Sequence, residues 1–245
     1  MDTLSSHGSD FLWAVTGIYV VSFLGLLTLS FTAKESDRVF HYLFSFILLL
    51  GASTYYAQAA NLGWMTVTDE QVSRQVFYAK YINWAVSFPS LALAFGLLAG
   101  VSWTTMICNI AMAVYWVGTY LVAAYTSSVH KWGLFAFGTF AWLILAMSTL
   151  NESREAAALL GVERDYLFLS VWLNLLWVLY PVAFALTDAT HRIGVTGGAV
   201  FFGVLDILTV PVLALAFVLV FSRRWDYRKL SLAFSDSRPS RESRE

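Results

Sequence analysis

The sequence has one cysteine, four prolines and few charged side chains, 13% of its 245 residues, against ~25% in a typical soluble domain. So little charge excludes an ordinary soluble enzyme. A single cysteine, Cys108, excludes an internal disulfide, and its place in an apolar run predicts a small core residue. Neither sign of charge is in excess: fifteen Lys and Arg against sixteen Asp and Glu leave a formal net charge of -1, so nucleic acid is not expected as a partner. The four histidines, His7, His41, His130 and His191, fall at the ends of apolar runs or between them, without metal-ligand spacing. No Ser, His and Asp spacing implies a triad, and Gly197-Gly198 is too isolated to cradle phosphate. The sequence therefore points away from catalysis and from a bound metal.

What is present is apolar surface: 58% of residues are hydrophobic and 17% aromatic. A membrane-spanning helix needs about 20 mostly apolar residues, because its backbone must satisfy its own hydrogen bonds where water is absent. Such runs cover 11–33 and 39–64. The stretch 81–130 holds no Asp, Glu, Lys or Arg and is long enough for most of two helices, with a break at Gly96, Gly100 and Ser102 and the first of them starting near Arg74. Further runs cover 132–150, 166–187 and 197–221, the last interrupted by Asp206. The pattern predicts an all-α, seven-helix membrane bundle. Thr-Val-Thr within 65–71 suits a small hairpin, Glu155-Ala-Ala-Ala-Leu-Leu extends the fifth helix, and Gly197-Gly198 starts the seventh.

The first span has no basic segment before it and is too long for a signal-peptide core, so it is expected to be retained. Lys and Arg set the orientation, since cytoplasmic loops carry the excess. With the N-terminus outside, Lys34, Arg38, Arg154, Arg164, Arg223, Arg224, Arg228, Lys229, Arg238, Arg241 and Arg244 lie inside, against Arg74, Lys131 and Arg192 outside. The expected organisation is an extracellular N-terminus (1–9), a membrane domain (10–229) and a disordered cytoplasmic tail (230–245).

Two ionisable side chains fall within spans, Lys80 and Asp206, and such groups mark function by default. Their similar depth predicts a buried pair, either structural or functional. Lys80, Asn83, Trp84 and Ser87 form one helical stripe, and Trp177, Tyr180 and Phe184 repeat that spacing beside Pro181, which should kink the sixth helix. Two facing aromatic stripes describe either a slot for a long flat apolar ligand or a tightly packed core.

These segments carry a resemblance. Lys80-Tyr-Ile-Asn-Trp-Ala-Val-Ser-Phe-Pro89 resembles the third helix of the microbial rhodopsins, Arg-Tyr-x-Asp-Trp-x-x-Thr-x-Pro. Trp177-Val-Leu-Tyr-Pro181 resembles their sixth-helix Trp-x-x-Tyr-Pro, and Leu205-Asp-Ile-Leu-Thr-Val210 their seventh-helix Leu-Asp-x-x-x-Lys. The family joins retinal as a Schiff base to that lysine; here the position holds Val210, which has no amine. Asn83 stands at the proton-acceptor position, Ala94 at the cytoplasmic donor position, and Lys80 replaces the usual arginine. The resemblance implies that Trp84, Trp177, Tyr180 and Phe184 are pocket walls, vestigial or in use, and that Tyr55, Lys80, Tyr180 and Asp206 survive as a polar network. Pro211, beside the missing lysine, should bend the seventh helix or let it pack closer.

A rhodopsin-like scaffold without the lysine is most similar to the opsin-related and heat-shock-type proteins of fungi. That likeness implies a plasma-membrane protein with a structural or regulatory, stress-linked role and no covalent retinal. Its partners would be the bilayer, copies of itself as dimer or trimer, and a membrane protein such as a proton ATPase. The residues leave two alternatives open: non-covalent binding of retinal, another polyene or lipid by the aromatic walls, and light-independent ion conduction through Lys80, Asn83, Ser87 and Asp206. The apolar run after Ser87 argues against conduction.

Overall fold

The computed structural model describes residues 1–33, 38–69 and 72–221. Seven helices are long and apolar enough to span a bilayer: α1 (Ser6–Thr32), α2 (Arg38–Ala59), α3 (Tyr78–Ala99), α4 (Trp103–Tyr125), α5 (Lys131–Leu159), α6 (Glu163–Ala189) and α7 (Val195–Leu219). At 1.5 Å per residue a 22-residue helix such as α3 is about 33 Å long, which matches the ~30 Å hydrocarbon layer. The chain is an integral membrane protein. Each helix packs on its neighbour in sequence and α7 returns against α1, which closes the bundle.

Local chemistry explains the boundaries. Ser5 caps α1 by accepting from the amide of Gly8, and Ser102 caps α4 by accepting from that of Thr105. Gly100 ends α3 in the left-handed region, at φ 69°. The break predicted around Gly96, Gly100 and Ser102 is therefore present, but α3 begins at Tyr78, not near Arg74.

Between α2 and α3 lies an antiparallel hairpin, β1 (Trp64–Asp69) and β2 (Val72–Phe77), in the register Trp64↔Phe77 to Asp69↔Val72. Residues before α1 are tied to it. The Asp2 amide donates to the Ser73 carbonyl and the Asp2 carbonyl accepts from the Gln75 amide, and the Leu4 amide donates to Gln75 Oε1. The segment expected as a leading terminus over 1–9 is thus partly clasp and, from Ser6, already helix.

The last three helices each contain irregular turns. Residues 148–152 of α5 form a π-helical turn before the helix resumes over Ser153–Leu159, so Glu155-Ala-Ala-Ala does extend the fifth helix. In α6 the regular helix stops at Trp177 and resumes at Leu179, one turn from Pro181. In α7 a π-helical turn spans Leu208–Val212 and contains Pro211. Proline has no amide to offer the carbonyl four residues back, so the α register cannot continue through it. That helix opens at Val195, two residues before Gly197.

Cys108 is exposed, against the expectation of a core position. It shares α4 with exposed Trp103, Ile107, Val114 and Tyr115. In a membrane protein an apolar run has two apolar destinations, the bundle interior and the lipid, and Cys108 faces the second. The tail at 230–245, Lys34 and every basic residue from Arg223 onward lie outside the described residues.

Candidate functional site

Asp206 stands in the regular part of α7, and four other helices converge on it. Its carboxylate accepts from Tyr55 of α2 and Tyr180 of α6, each at 2.5 Å. It also accepts from Asn83 Nδ2 at 3.1 Å and Trp84 Nε1 at 3.0 Å, both on α3. Tyr19 of α1 donates to the Asp206 backbone carbonyl at 3.1 Å. A carboxylate has about four lone-pair sites, and four side-chain donors fill them. Hydrogen bonds from neutral groups are what hold this buried acidic group in place; among the described residues no cation pairs with it.

Lys80 pairs elsewhere. Its Nζ lies 2.5 Å from Asp188 Oδ2 on α6, to which Tyr81 also donates at 2.5 Å. The ammonium lies 4.7 Å from the centre of the Phe202 ring and 5.1 Å from that of Tyr81, distances at which a ring face attracts a cation. The Lys80–Asp206 pair anticipated from depth is therefore replaced by Lys80–Asp188, and Lys80 is absent from the network formed by Tyr55, Tyr180 and Asp206. Asp188 was missed because the sixth span was ended at Thr187. The signal was there: Tyr180, Phe184 and Asp188 are spaced by four, so the carboxylate continues the inward stripe.

Arg74 was expected in an outer loop, yet it is 3% exposed. From β2 its guanidinium donates to the carbonyls of Thr187 at 2.8 Å and Ile193 at 3.1 Å. It also lies 3.0 Å from His191 Nδ1. The same Nδ1 lies 3.2 Å from the Thr187 carbonyl, so the imidazole nitrogen sits between Arg74 and Thr187. Asp2 Oδ2 sits 4.0 Å from Arg74 Nε and accepts from the Val195 amide at 3.1 Å. The hairpin is thus fastened to the α6–α7 loop. Beneath it Tyr55, Gln58, Arg74, Lys80, Asp188 and Phe202 line a cavity of ≈ 20 Å³, about enough for one water.

The aromatic stripes meet in the centre. Trp84 lies edge-on to Tyr180, centroids 5.4 Å apart. Phe88, one turn along α3, touches Trp84 at 6.1 Å, Trp177 at 5.7 Å and Tyr180 at 5.0 Å. Phe184 is 4.5 Å from Tyr120 of α4 and stacks on Phe135 of α5 at 5.7 Å. Asn83, Ser87, Ala94 and Val210 are all buried. The Ser87 hydroxyl is spent on the Asn83 carbonyl at 2.7 Å, and Asn83 Oδ1 has no hydrogen-bond partner.

This seven-helix bundle has known counterparts. The profile of the bacteriorhodopsin-like proteins matches residues 9–226. The chain belongs to that family. Within it, the chain is 32% identical to the opsin-like protein carO of Fusarium fujikuroi, over 95% of this chain and 79% of that one. It is 27% identical to the 30 kDa heat shock protein of Saccharomyces cerevisiae, over 94% and 77%. Among solved structures, the light-driven proton pump LR (Mac) from Leptosphaeria maculans superposes with a TM-score of 0.87 at 26% identity, covering 94% of this chain and 98% of the pump. The family member described here thus has fungal opsin-related and heat-shock relatives as well as pumps for neighbours.

Proposed function

We propose that this chain is a non-photochemical member of the family, an opsin-related protein with a structural or regulatory, stress-linked role and no covalent retinal. The observation that carries the reading is the environment of Asp206 and residue 210. Retinal would need an amine on α7, and no lysine occurs in 195–219; the residue one turn after Asp206 is buried Val210. A protonated Schiff base beside Asp206 would also need a lone pair there, and Tyr55, Asn83, Trp84 and Tyr180 already take about four. The residues present therefore do not fit covalently bound retinal.

The same positions argue against light-driven proton transport. Asn83 has no carboxylate to take up a proton, and Ala94 has nothing to donate. The likeness to the 30 kDa heat shock protein supports the stress-linked role. In this reading the N-terminus is outside, the C-terminus is cytoplasmic, the plasma membrane is the host and the partners are lipid, further copies of the chain and another membrane protein such as a proton ATPase.

The test is to purify the protein from cells grown with all-trans-retinal and record its visible spectrum before and after hydroxylamine. No hydroxylamine-sensitive band is expected. A stoichiometric band that persists as an adduct after unfolding overturns the proposal.

A further inference from the structure

The four rings read as pocket walls, Trp84, Trp177, Tyr180 and Phe184, enclose a slot only if nothing of the chain's own fills it. Three rings outside that set do. Phe88 touches walls on both sides, Trp84 and Trp177, and lies 5.0 Å from Trp116 of α4. Trp116 in turn meets Trp177 at 5.9 Å and Tyr180 at 6.4 Å. Tyr120, one turn along α4, covers Phe184 at 4.5 Å and Phe135 at 5.3 Å.

We propose that Phe88, Trp116 and Tyr120 form an internal plug that excludes a flat apolar polyene from the slot between α3, α4, α5 and α6. The proposal goes beyond the missing amine, since it concerns space and holds even for a chain given a lysine. Directly packed rings have centroids 4.5–7 Å apart, and all the contacts above fall in that range. A conjugated chain between two parallel rings needs roughly 7 Å from one ring plane to the other, twice the ~3.5 Å contact distance of carbon atoms. Phe88 and Trp84, parallel to within 9°, have centroids 6.1 Å apart and leave no such layer, and Trp116, Trp177 and Tyr180 meet Phe88 at tilted or edge-on angles with centroids 5.0–5.7 Å away.

Two further observations tie the plug to the fold. A side chain at Gly138 of α5 would put its Cβ 2.7 Å from the Tyr120 ring, so α5 is cut back where Tyr120 enters. Trp116 and Trp177 are fully buried, so both indoles are packed by the chain's own atoms. The slot borders residue 210: the Tyr180 hydroxyl lies 3.3 Å from Thr209 Oγ1.

The test compares V210K, V210K/F88A and V210K/F88A/W116L/Y120A, each given all-trans-retinal. In a pigment the lysine amine condenses with the aldehyde, a C=N bond forms and the carbonyl oxygen leaves as water, with no oxidant or reductant needed. V210K alone is expected to stay colourless. Pigment yield should rise at least tenfold when rings are removed, and all-trans-retinol should raise the unfolding temperature of F88A but not of the unaltered protein. The F88A measurement covers the case in which the fourfold variant does not fold. The plug is refuted if V210K alone colours as fully as the trimmed variants, or if folded F88A and V210K/F88A take up no more ligand than their parents. Colour in the unaltered protein bears on the proposed function, whereas colour in V210K alone bears on the plug.

Discussion

At the residue scale the bundle holds two acidic groups by different means, and the difference is measurable. Asp206 has four neutral donors, so D206L would leave Tyr55, Asn83, Trp84 and Tyr180 without their acceptor. At about 1–3 kcal/mol for each buried orphan, D206L should lose roughly 4 kcal/mol or more, while Y55F should lose about 1 kcal/mol. Denaturant unfolding in detergent measures both, and a D206L protein as stable as its parent would contradict this geometry. Asp188 instead holds an ammonium at 2.5 Å. Removing one partner of a buried pair costs roughly 3–5 kcal/mol, and replacing both by apolar groups recovers much of it. A cycle of K80M, D188L and the double variant should therefore show coupling of about 2 kcal/mol, and a K80M/D206L cycle much less. Equal coupling in the two cycles would restore the pairing anticipated from depth. That pairing shows where sequence reasoning stops: both ions within spans were visible, but the partner was decided by how far α6 continued past Thr187. Val210 and Asn83, by contrast, stand out from the motif pattern without any geometry, and the structure adds that both are buried.

At the element scale the helices were legible because hydrocarbon selects for long apolar runs, and the first strand of the hairpin because Thr-Val-Thr favours extended backbone, whereas the second strand, Val72–Phe77, fell where the third helix was expected to begin. The π-helical turns were not, although proline marks one of them: where a helix shifts register depends on what its neighbours offer the freed carbonyls. Trp172 Nε1, for instance, donates to the Leu208 carbonyl at 3.3 Å, a contact between α6 and α7 that no local pattern announces. The side of α4 that carries Cys108 was misread for a related reason, since both sides of a spanning helix meet apolar surroundings. The α4–α5 contact supplies a prediction of its own. G138A places a methyl 2.4 Å from Thr119 Oγ1 and 2.7 Å from the Tyr120 ring, and such overpacking typically costs about 1–3 kcal/mol. G138A should therefore lower the unfolding midpoint, and G138A/Y120A should recover part of the loss. If G138A proved neutral, the two helices would not approach as closely as described.

For the whole molecule, the hairpin, the Asp2 clasp and Arg74 cover one end of the bundle, and the α5 extension marks the other. The proposed orientation in the membrane rests on basic residues, and two exposed positions test it: Val129, 82% exposed after α4, and Leu159, 90% exposed at the end of α5. In a C108A background, V129C should react with an impermeant maleimide on intact cells, and L159C only after permeabilisation. The reverse pattern would invert the topology. Membership of the bacteriorhodopsin-like family leaves the chemistry open, because pumps share this fold; the proposal that this chain carries no covalent retinal rests on Val210, one turn after Asp206. The most direct measurement of that claim is the intact mass of the protein after incubation with all-trans-retinal and borohydride, which fixes any imine as a stable amine. An unchanged mass is predicted. A protein heavier by one retinyl group, attached at any of its lysines, would contradict the account.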